Sequence, residues 1–288
     1  MSAAAAVPYH PPRMATVGEV DLCYDAFGDP DAPLMLLIMG LGFQLIHWPE
    51  DFCRQLAAEG FRVVRFDNRD AGRSTHLPGR RYTLEDMADD AVGLLDALGV
   101  DSAHIVGASL GGMIAQTMAI RHPRRVRSLA SLMSTTGRRG KGRTSLRVFR
   151  YALARPPRTE EEAIERRVRV FSLIGSTGFD QDLDELRRVS AIAFERDPDA
   201  RDGRRRQHRA VRAAPDRTEA LRMLTVATVV IHGTEDLLCH PSGGQATAEA
   251  IPGARLELIA GMGHDLPRGA WPQLLRAIAS NAQSAGQP

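Results

Sequence analysis

Short apolar runs alternate with helical segments along most of this chain, and the links between them are short. A run that is apolar at every position is typical of a strand buried on both faces of a sheet. Strands that alternate with helices form parallel βαβ units, in which helices cover both faces of the sheet. The alternation therefore predicts an α/β fold with a mostly parallel sheet. Residues 34–39 form such a continuous apolar run, and residues 16–29 alternate apolar and polar positions like a strand. The other predicted strands are residues 61–66, 103–108, 125–133, 227–233 and 255–260.

The alternation stops after residue 133 and resumes near residue 223, and the residues between read as mostly helical. Thr159 and Glu162 stand three positions apart before one of these helices, which is the spacing of a capping box. We predict an α/β core formed by residues 1–133 and 223–288, and a helical cap formed by residues 134–222 and inserted after the sixth strand. Because α/β sheets bind ligands at the carboxyl ends of their strands, the cap is expected to cover that edge.

The segment Gly107-Ala108-Ser109-Leu110-Gly111 fits the pattern G-x-S-x-G. A predicted strand leads into it and a predicted helix follows, so Ser109 stands at the corner between the two. In such a nucleophile elbow the serine adopts a strained backbone conformation that exposes its hydroxyl group. Bulky side chains two positions before and after the serine would collide with the neighbouring strand and helix. The glycines thus have a steric explanation, and Ser109 is the candidate nucleophile.

A serine nucleophile needs a base to take its proton, and the base needs a third group that stabilises its charge. In this architecture the acid and then the histidine follow the serine along the chain. Asp236 comes just after one buried strand and His264 just after the next, at the edge where Ser109 emerges. We predict Asp236 as the acid and His264 as the base. Glu235 is an alternative acid, and Asp265 is a more distant one.

Two N–H donors are also needed for the negative charge that develops on the carbonyl oxygen of the substrate. The backbone N–H of Leu110, directly after the serine, is expected to be one of them. The loop after residues 34–39 reads Gly40-Leu41-Gly42-Phe43 and is flexible enough to turn its amides inward. We predict the backbone N–H of Leu41 as the second donor.

Aromatic side chains are the candidates for the wall of the substrate pocket. Two of them follow the predicted oxyanion loop closely, and three lie in the predicted cap. Together they favour an apolar acyl or aromatic substrate over a sugar or a nucleotide. The candidates are Phe43, Trp48, Phe149, Phe171 and Phe179.

The order of strands, elbow, acid and histidine resembles that of the α/β-hydrolase superfamily over almost the whole chain. Within it the chain is similar to the aclacinomycin methylesterase type of bacterial serine esterase. The chain shares Met39-Gly40 with that group, whereas Leu41-Gly42 departs from its usual Gly-Asn. The segments that carry the closer similarity are LIMGLG (37–42) with Trp-Pro at 48 and 49, RFDNRDAGRST (65–75), SLIGSTGFD (172–180) and IAGMGH (259–264).

This resemblance implies an α/β-hydrolase fold with a mostly parallel eight-stranded sheet, flanked by helices. It also identifies Asp67, Arg69 and Gly72 with a D-x-R-x-x-G-x-S signature, which we interpret as structural, with Arg69 bracing neighbouring loops. His232 follows a buried strand and is interpreted as a core histidine with satisfied hydrogen bonds.

We therefore expect a serine hydrolase that cleaves a carboxylic ester of a small hydrophobic molecule through a Ser-His-Asp triad and an acyl-enzyme. Methyl esters are among the candidate substrates. The same triad supports lactone hydrolysis, hydrolysis of carbon–carbon bonds, and perhydrolysis of the cofactor-free haloperoxidase kind. A small-molecule receptor of the same fold is the alternative that is not an enzyme.

Composition argues against several other classes of protein. The net charge of +2 does not suit a dedicated nucleic-acid binder, although the predicted cap has 22 Lys and Arg against 14 Asp and Glu. No apolar run is long enough to cross a bilayer. In residues 1–13 the first basic residue comes after the apolar stretch, so we expect a loose lead-in instead of a signal peptide. The expected partner is a small-molecule ester, without nucleic acid or membrane.

The cysteines and histidines give no sign of a bound metal. Cys23, Cys53 and Cys239 are far apart and odd in number, and no histidines stand at the spacing of metal ligands. We expect no metal and no cofactor. Cysteine usage of this kind is typical of a reducing compartment, so we expect a cytoplasmic protein, either a monomer or a homodimer.

Overall fold

An eight-stranded sheet forms the centre of the computed structural model, which describes residues 7–148 and 159–286. Its strands are β1 (Tyr9–Val17), β2 (Val20–Phe27), β3 (Leu34–Ile38), β4 (Arg62–Phe66), β5 (Ala103–Ala108), β6 (Val126–Leu132), β7 (Ala227–Gly233) and β8 (Arg255–Ile259). Their spatial order is β1-β2-β4-β3-β5-β6-β7-β8. β2 runs antiparallel to both β1 and β4, and the remaining pairs are parallel. The predicted mostly parallel eight-stranded sheet is confirmed.

Helices lie on both faces of this sheet and between β6 and β7. They are α1 (Glu50–Ala58), α2 (Leu84–Ala97), α3 (Leu110–Arg121), α4 (Glu160–Ile174), α5 (Leu183–Arg196), α6 (Ala200–Ala213), α7 (Thr218–Leu221), α8 (Ser242–Ala250) and α9 (Trp271–Ser284), with 3-10 turns at Leu45–His47, Pro123–Arg125 and Arg268–Ala270. One face of the sheet packs against α1 and α9, and the other packs against α2, α3 and α8.

Strand β3 shows why its sequence is apolar throughout. Leu36 and Ile38 pack into the core on the α2 and α3 face, whereas Met35 and Leu37 pack into the core on the α1 and α9 face. Successive side chains of a strand point to opposite faces, so a strand between two layers of helices needs an apolar residue at every position. Ile38 is paired with Gly107 of β5, which brings the loop after β3 beside the turn after β5.

The expectation that residues 1–13 form a loose lead-in is wrong for residues 9–13, which belong to the edge strand β1. This strand pairs with β2, and its register shifts between His10 and Arg13, across Pro11 and Pro12. Proline cannot donate to a sheet ladder and is tolerated at an edge or at a bulge. β1 is an edge strand, and Pro11 and Pro12 lie at its register shift, so the strand accommodates both prolines.

The helical insertion follows the sixth strand, as predicted, and carries α4, α5 and α6. The hydroxyl of Thr159 accepts a hydrogen bond from the N–H of Glu162 at 3.2 Å, so Thr159 is the N-cap of α4. The short helix α7 differs from the rest of the insertion. Its Leu221 joins the apolar core with α3 and α8, although it lies before the predicted boundary at residue 222.

The loop of residues 67–74 anchors the cap to the core. Arg196 at the end of α5 forms a buried ion pair with Asp67 at 2.5 Å, and Arg206 of α6 forms one with Asp70 at 2.6 Å. Arg69 lies in the same loop but pairs with Asp90 of α2 at 2.6 Å. The loop therefore connects three layers of the structure through buried charges, and the interpretation of Arg69 as a brace agrees with its contact.

We predict that Arg196→Met destabilises the protein by about 3 kcal/mol, because the buried carboxyl group of Asp67 loses the guanidinium that pairs with it. Arg196→Met combined with Asp67→Asn should recover much of that loss, since no unpaired charge then remains. Urea unfolding measures both values. Arg188→Met, which removes an exposed pair with Glu185 in the same helix, is the control and should change stability by about 0.5 kcal/mol or less. Equal losses in Arg196→Met and Arg188→Met would contradict the anchoring role.

Candidate active site

Ser109 lies at the tight turn between β5 and α3. Its backbone angles are φ 56° and ψ −116°, a conformation that residues with a side chain rarely adopt. A Cβ atom at Gly107 would come within 2.1 Å of the carbonyl oxygen of Gly111, and one at Gly111 would come within 1.9 Å of that of Ile38. The packing of strand, turn and helix therefore requires glycine at both positions.

The structure brings the three residues predicted as a triad into one hydrogen-bonded chain. His264 Nε2 lies 3.0 Å from Ser109 Oγ, and His264 Nδ1 lies 2.6 Å from Asp236 Oδ2. When Nε2 accepts the proton of the serine hydroxyl, Nδ1 carries the other ring proton and donates it to the carboxylate. Asp236 follows β7 and His264 follows β8, so the carboxyl ends of neighbouring parallel strands position both groups.

Asp236 is held as a carboxylate by several donors. Its Oδ1 accepts the N–H groups of Leu238 at 2.9 Å and Cys239 at 2.8 Å. Burial by itself would raise the pKa of Asp236, but the nearby His264 and His232 and their hydrogen bonds outweigh burial and lower that pKa. The carboxylate thus stays negative at neutral pH, as a group that stabilises an imidazolium must.

The two alternative acids have other surroundings. Glu235 is exposed, whereas the chain of hydrogen bonds that Asp236 completes is buried. Asp265 accepts the hydroxyl of Ser176 at 2.6 Å, and its burial raises its pKa. Of the three candidates, Asp236 is the one in hydrogen-bond contact with His264.

His232 lies beside Asp236, a contact that the sequence pattern did not predict. It is fully buried, and its Nε2 lies 2.7 Å from the carbonyl oxygen of Cys239 and 3.3 Å from Asp236 Oδ2. Its Nδ1 has no hydrogen-bond partner among the described residues. The ring proton is therefore on Nε2, directed at both oxygens. The interpretation of His232 as a core residue agrees with its burial, but its hydrogen bonds are not all satisfied, because Nδ1 has no partner among the described residues. Its contact with Asp236 suits a residue that positions the carboxylate.

The cap holds the loop that carries His264. The backbone N–H of His264 donates to the carbonyl oxygen of Ile174 at 2.7 Å, at the end of α4. The N–H of Gly263 donates to the hydroxyl of Ser176 at 3.0 Å. Both acceptors lie in the segment SLIGSTGFD, which sequence similarity singled out without giving its purpose. Its contacts show that it holds the backbone N–H groups of Gly263 and His264.

Leu41 and Leu110 line the cavity beside Ser109. Within the described part of the chain, neither backbone N–H donates to a protein acceptor. The loop that carries Leu41 is closed by a hydrogen bond from the N–H of Phe43 to the carbonyl of Gly40 at 3.1 Å. Two unused N–H groups next to a serine hydroxyl are what an oxyanion hole requires.

The predicted pocket aromatics have three different outcomes. Phe43, Phe171 and Phe179 line the cavity, and the rings of Phe43 and Phe171 meet edge to face with centroids 5.7 Å apart. The prediction for Trp48 is wrong, because its side chain is fully buried in the core and stacks on Phe52. Phe149 lies outside the described residues. The predicted aromatic pocket therefore keeps one residue from the core and two from the cap.

The cavity over Ser109 has a volume of about 3190 Å³ and separates the cap helices from the carboxyl edge of the sheet. Typical small-molecule sites are about 300–1,000 Å³, so the space admits a large substrate. Within residues 7–148 and 159–286, no cluster of three or more His, Cys, Asp or Glu side chains is arranged to hold a metal. Over those same residues, no helix has the length and apolar character needed to cross a membrane.

Comparison with known proteins adds a family and relatives. The family model described as alpha/beta hydrolase fold matches residues 33–267. Rhodomycin D methylesterase DauP of Streptomyces sp. strain C5 is 33% identical over 298 residues, which cover 96% of this chain and 99% of the relative. Rhodomycin D methylesterase DnrP of Streptomyces peucetius is 32% identical, with coverage of 96% and 99%. The solved enol-lactonase from Burkholderia xenovorans LB400 superimposes with a TM-score of 0.76 at 24% identity, covering 94% of this chain and 100% of that chain.

We predict that His232→Leu lowers kcat for ester hydrolysis by about tenfold, because Asp236 loses a hydrogen bond to its charged form. KM should stay close to that of the wild type, since His232 does not line the cavity. His232→Gln keeps an amide N–H on a side chain of similar length and should recover part of kcat. Steady-state kinetics on folded variants, checked by circular dichroism, measures both. An unchanged kcat in His232→Leu would rule out the positioning role.

Proposed function

The chain belongs to the α/β-hydrolase family, and on that premise we propose that it hydrolyses a methyl ester of a largely hydrophobic carboxylic acid with Ser109 as nucleophile. Its relatives establish that it is an ester hydrolase and confirm the similarity to the methylesterase type. The observation that carries the proposed mechanism is the chain of hydrogen bonds from Ser109 through His264 to Asp236, below a substrate-sized cavity.

The reaction has two halves with the same groups. His264 Nε2 takes the proton of Ser109 Oγ as that oxygen attacks the ester carbonyl, and the N–H groups of Leu41 and Leu110 stabilise the oxyanion. His264 then protonates the departing alcohol, which leaves an acyl group on Ser109. Water, deprotonated by the same histidine, releases the acid. Asp236 stabilises the imidazolium in each half.

Two observations support an apolar acid and a small alcohol as the parts of the substrate. The names of the relatives identify them as methylesterases, and hydrolysis of a methyl ester releases methanol. The cavity wall includes Met39, Met113, Phe43 and Phe171, whose side chains suit an apolar or aromatic acyl group. The large volume of the cavity favours an acid of several rings or a long chain over an acetate-sized one.

We predict that Ser109→Ala lowers kcat/KM for methyl and aryl esters by about 10⁴-fold or more, because no other group supplies the nucleophile. Ser190→Ala is the matched control. Its hydroxyl also belongs to the cavity wall, but it donates to the carbonyl oxygen of Leu186 within α5, so this variant should keep the wild-type rate. Persistent turnover in Ser109→Ala would show that another residue carries the reaction.

The alcohol is tested with a panel of aromatic methyl esters, larger alkyl esters of the same acids, and lactones. We expect the highest kcat/KM for methyl esters, measured by release of methanol. A higher kcat/KM for lactones than for methyl esters would contradict the methyl ester proposal and favour a lactonase.

A further inference from the structure

Two arginines of the cap contact the oxyanion loop, Gly40–Phe43, and both line the cavity. Arg167 belongs to α4 and Arg204 to α6. Neither guanidinium takes part in the hydrolytic mechanism described above. Their contacts and charge indicate what kind of group they could bind.

Arg167 is held from two sides at the cavity wall. Its guanidinium carbon lies 5.1 Å from the centre of the Phe43 ring, in a cation–π contact. One guanidinium nitrogen lies 3.0 Å from His47 Nε2. Burial and the charge of Arg167 lower the pKa of His47 well below its ordinary value, so the ring is neutral and accepts the hydrogen bond. The guanidinium is fixed in place, and among the described residues His47 is the acceptor of its one hydrogen bond.

Arg204 packs against Gly42 of the oxyanion loop, the residue before Phe43. A Cβ atom at Gly42 would come within 2.8–3.2 Å of the Cβ, Cγ and Cδ atoms of Arg204, so the arginine stem packs directly on the glycine. One turn further along α6, Gln207 accepts the N–H of Gly42 at 2.8 Å. The helix thus presses Arg204 onto this loop, and its side chain stays accessible from the cavity.

Within residues 7–148 and 159–286, no carboxylate lies within ion-pair distance of Arg167 or Arg204, whereas six other arginines of the insertion form ion pairs with acidic groups. Residues 149–158, which the structure does not describe, contain no Asp or Glu in their sequence. The paired arginines are Arg187, Arg188, Arg196, Arg205, Arg206 and Arg222.

The surrounding protein makes the unbalanced charge unfavourable. Burial lowers the pKa of Arg167 to about 10, with a further contribution from the positive charge of Arg204. Both groups are still protonated at neutral pH, so two nearby positive charges face the cavity together. An anion bound between them would relieve this repulsion and accept hydrogen bonds from both guanidinium groups.

We propose that Arg167 and Arg204 bind an acidic group of the substrate, a carboxylate or a phosphate, remote from the ester that Ser109 attacks. The proposal deepens the function given above, on which it rests, and it defines the substrate class as an ester of a hydrophobic acid that carries a second, ionised acidic group. Because both arginines lie on the oxyanion loop, that group is bound on the same side of the cavity as the carbonyl oxygen of the ester.

The test measures binding to Ser109→Ala, which holds an ester without cleaving it. Calorimetry compares monomethyl esters of straight-chain dicarboxylic acids, in a series of increasing length, with methyl esters of monocarboxylic acids of the same length. A third series carries a terminal phosphate in place of the carboxylate. We expect the best acidic ligand to bind about tenfold or more tightly than its neutral counterpart, with the advantage decreasing as salt is added. The terminal group of the tighter acidic series identifies the acid.

The variants Arg167→Met and Arg204→Met, made singly and together in the Ser109→Ala background, keep an apolar stem and remove the charge. The double variant should bring the ratio of acidic to neutral affinity close to one. Arg209→Met removes an exposed arginine of the same helix that does not line the cavity, and it should keep the ratio. Equal affinity for acidic and neutral ligands before mutation, or a preference that survives the double variant, would overturn the proposal.

Hydrolysis by the wild-type protein is measured on the same ligands. Absence of hydrolysis together with a charge preference in binding would refute the proposed reaction and leave the acidic site standing. Hydrolysis of acidic and neutral esters at equal kcat/KM would refute the acidic site and leave the proposed reaction standing.

Discussion

The strained turn at Ser109 is the constraint on which the rest of the structure depends. The serine has a positive φ. Gly107 packs against the carbonyl of Gly111, and Gly111 packs against the carbonyl of Ile38, so no side chain fits at either glycine. This strain of order 1–3 kcal/mol persists because β3, β5 and α3 surround the turn. The same packing leaves the hydroxyl at the carboxyl edge of the sheet, where the loops after β7 and β8 deliver Asp236 and His264.

The cap does more than cover this site. The segment after α4 fixes the backbone beside His264, and α6 holds the oxyanion loop through Gln207. Buried ion pairs of Arg196 and Arg206 join the same helices to the loop of residues 67–74. The loop of His264 and the loop of residues 40–43 are thus both hydrogen-bonded to the cap. A shift of the cap would therefore alter the geometry around Ser109 as well as the shape of the cavity.

Local patterns in the sequence predicted the sheet, the elbow and the three residues that the structure brings together, because each depends on neighbours along the chain or on the ends of successive strands. Local patterns gave wrong predictions where contacts between residues far apart in the sequence determine the structure. Trp48 reads like a pocket residue until the core encloses it, and two prolines concealed β1 until β2 provided an edge for it. The contacts of His232 with Asp236, and of Ser176 with the histidine loop, depend on positions that only the folded chain brings together.

The central claim is that Ser109 is a nucleophile activated by His264. Its most direct test is reaction with a fluorophosphonate, followed by peptide mass spectrometry to locate the adduct. We expect a single adduct on Ser109, formed at a rate that falls sharply in His264→Ala, because the hydroxyl then has no base. An adduct on another residue, or labelling of Ser109 at an undiminished rate in His264→Ala, would contradict this claim.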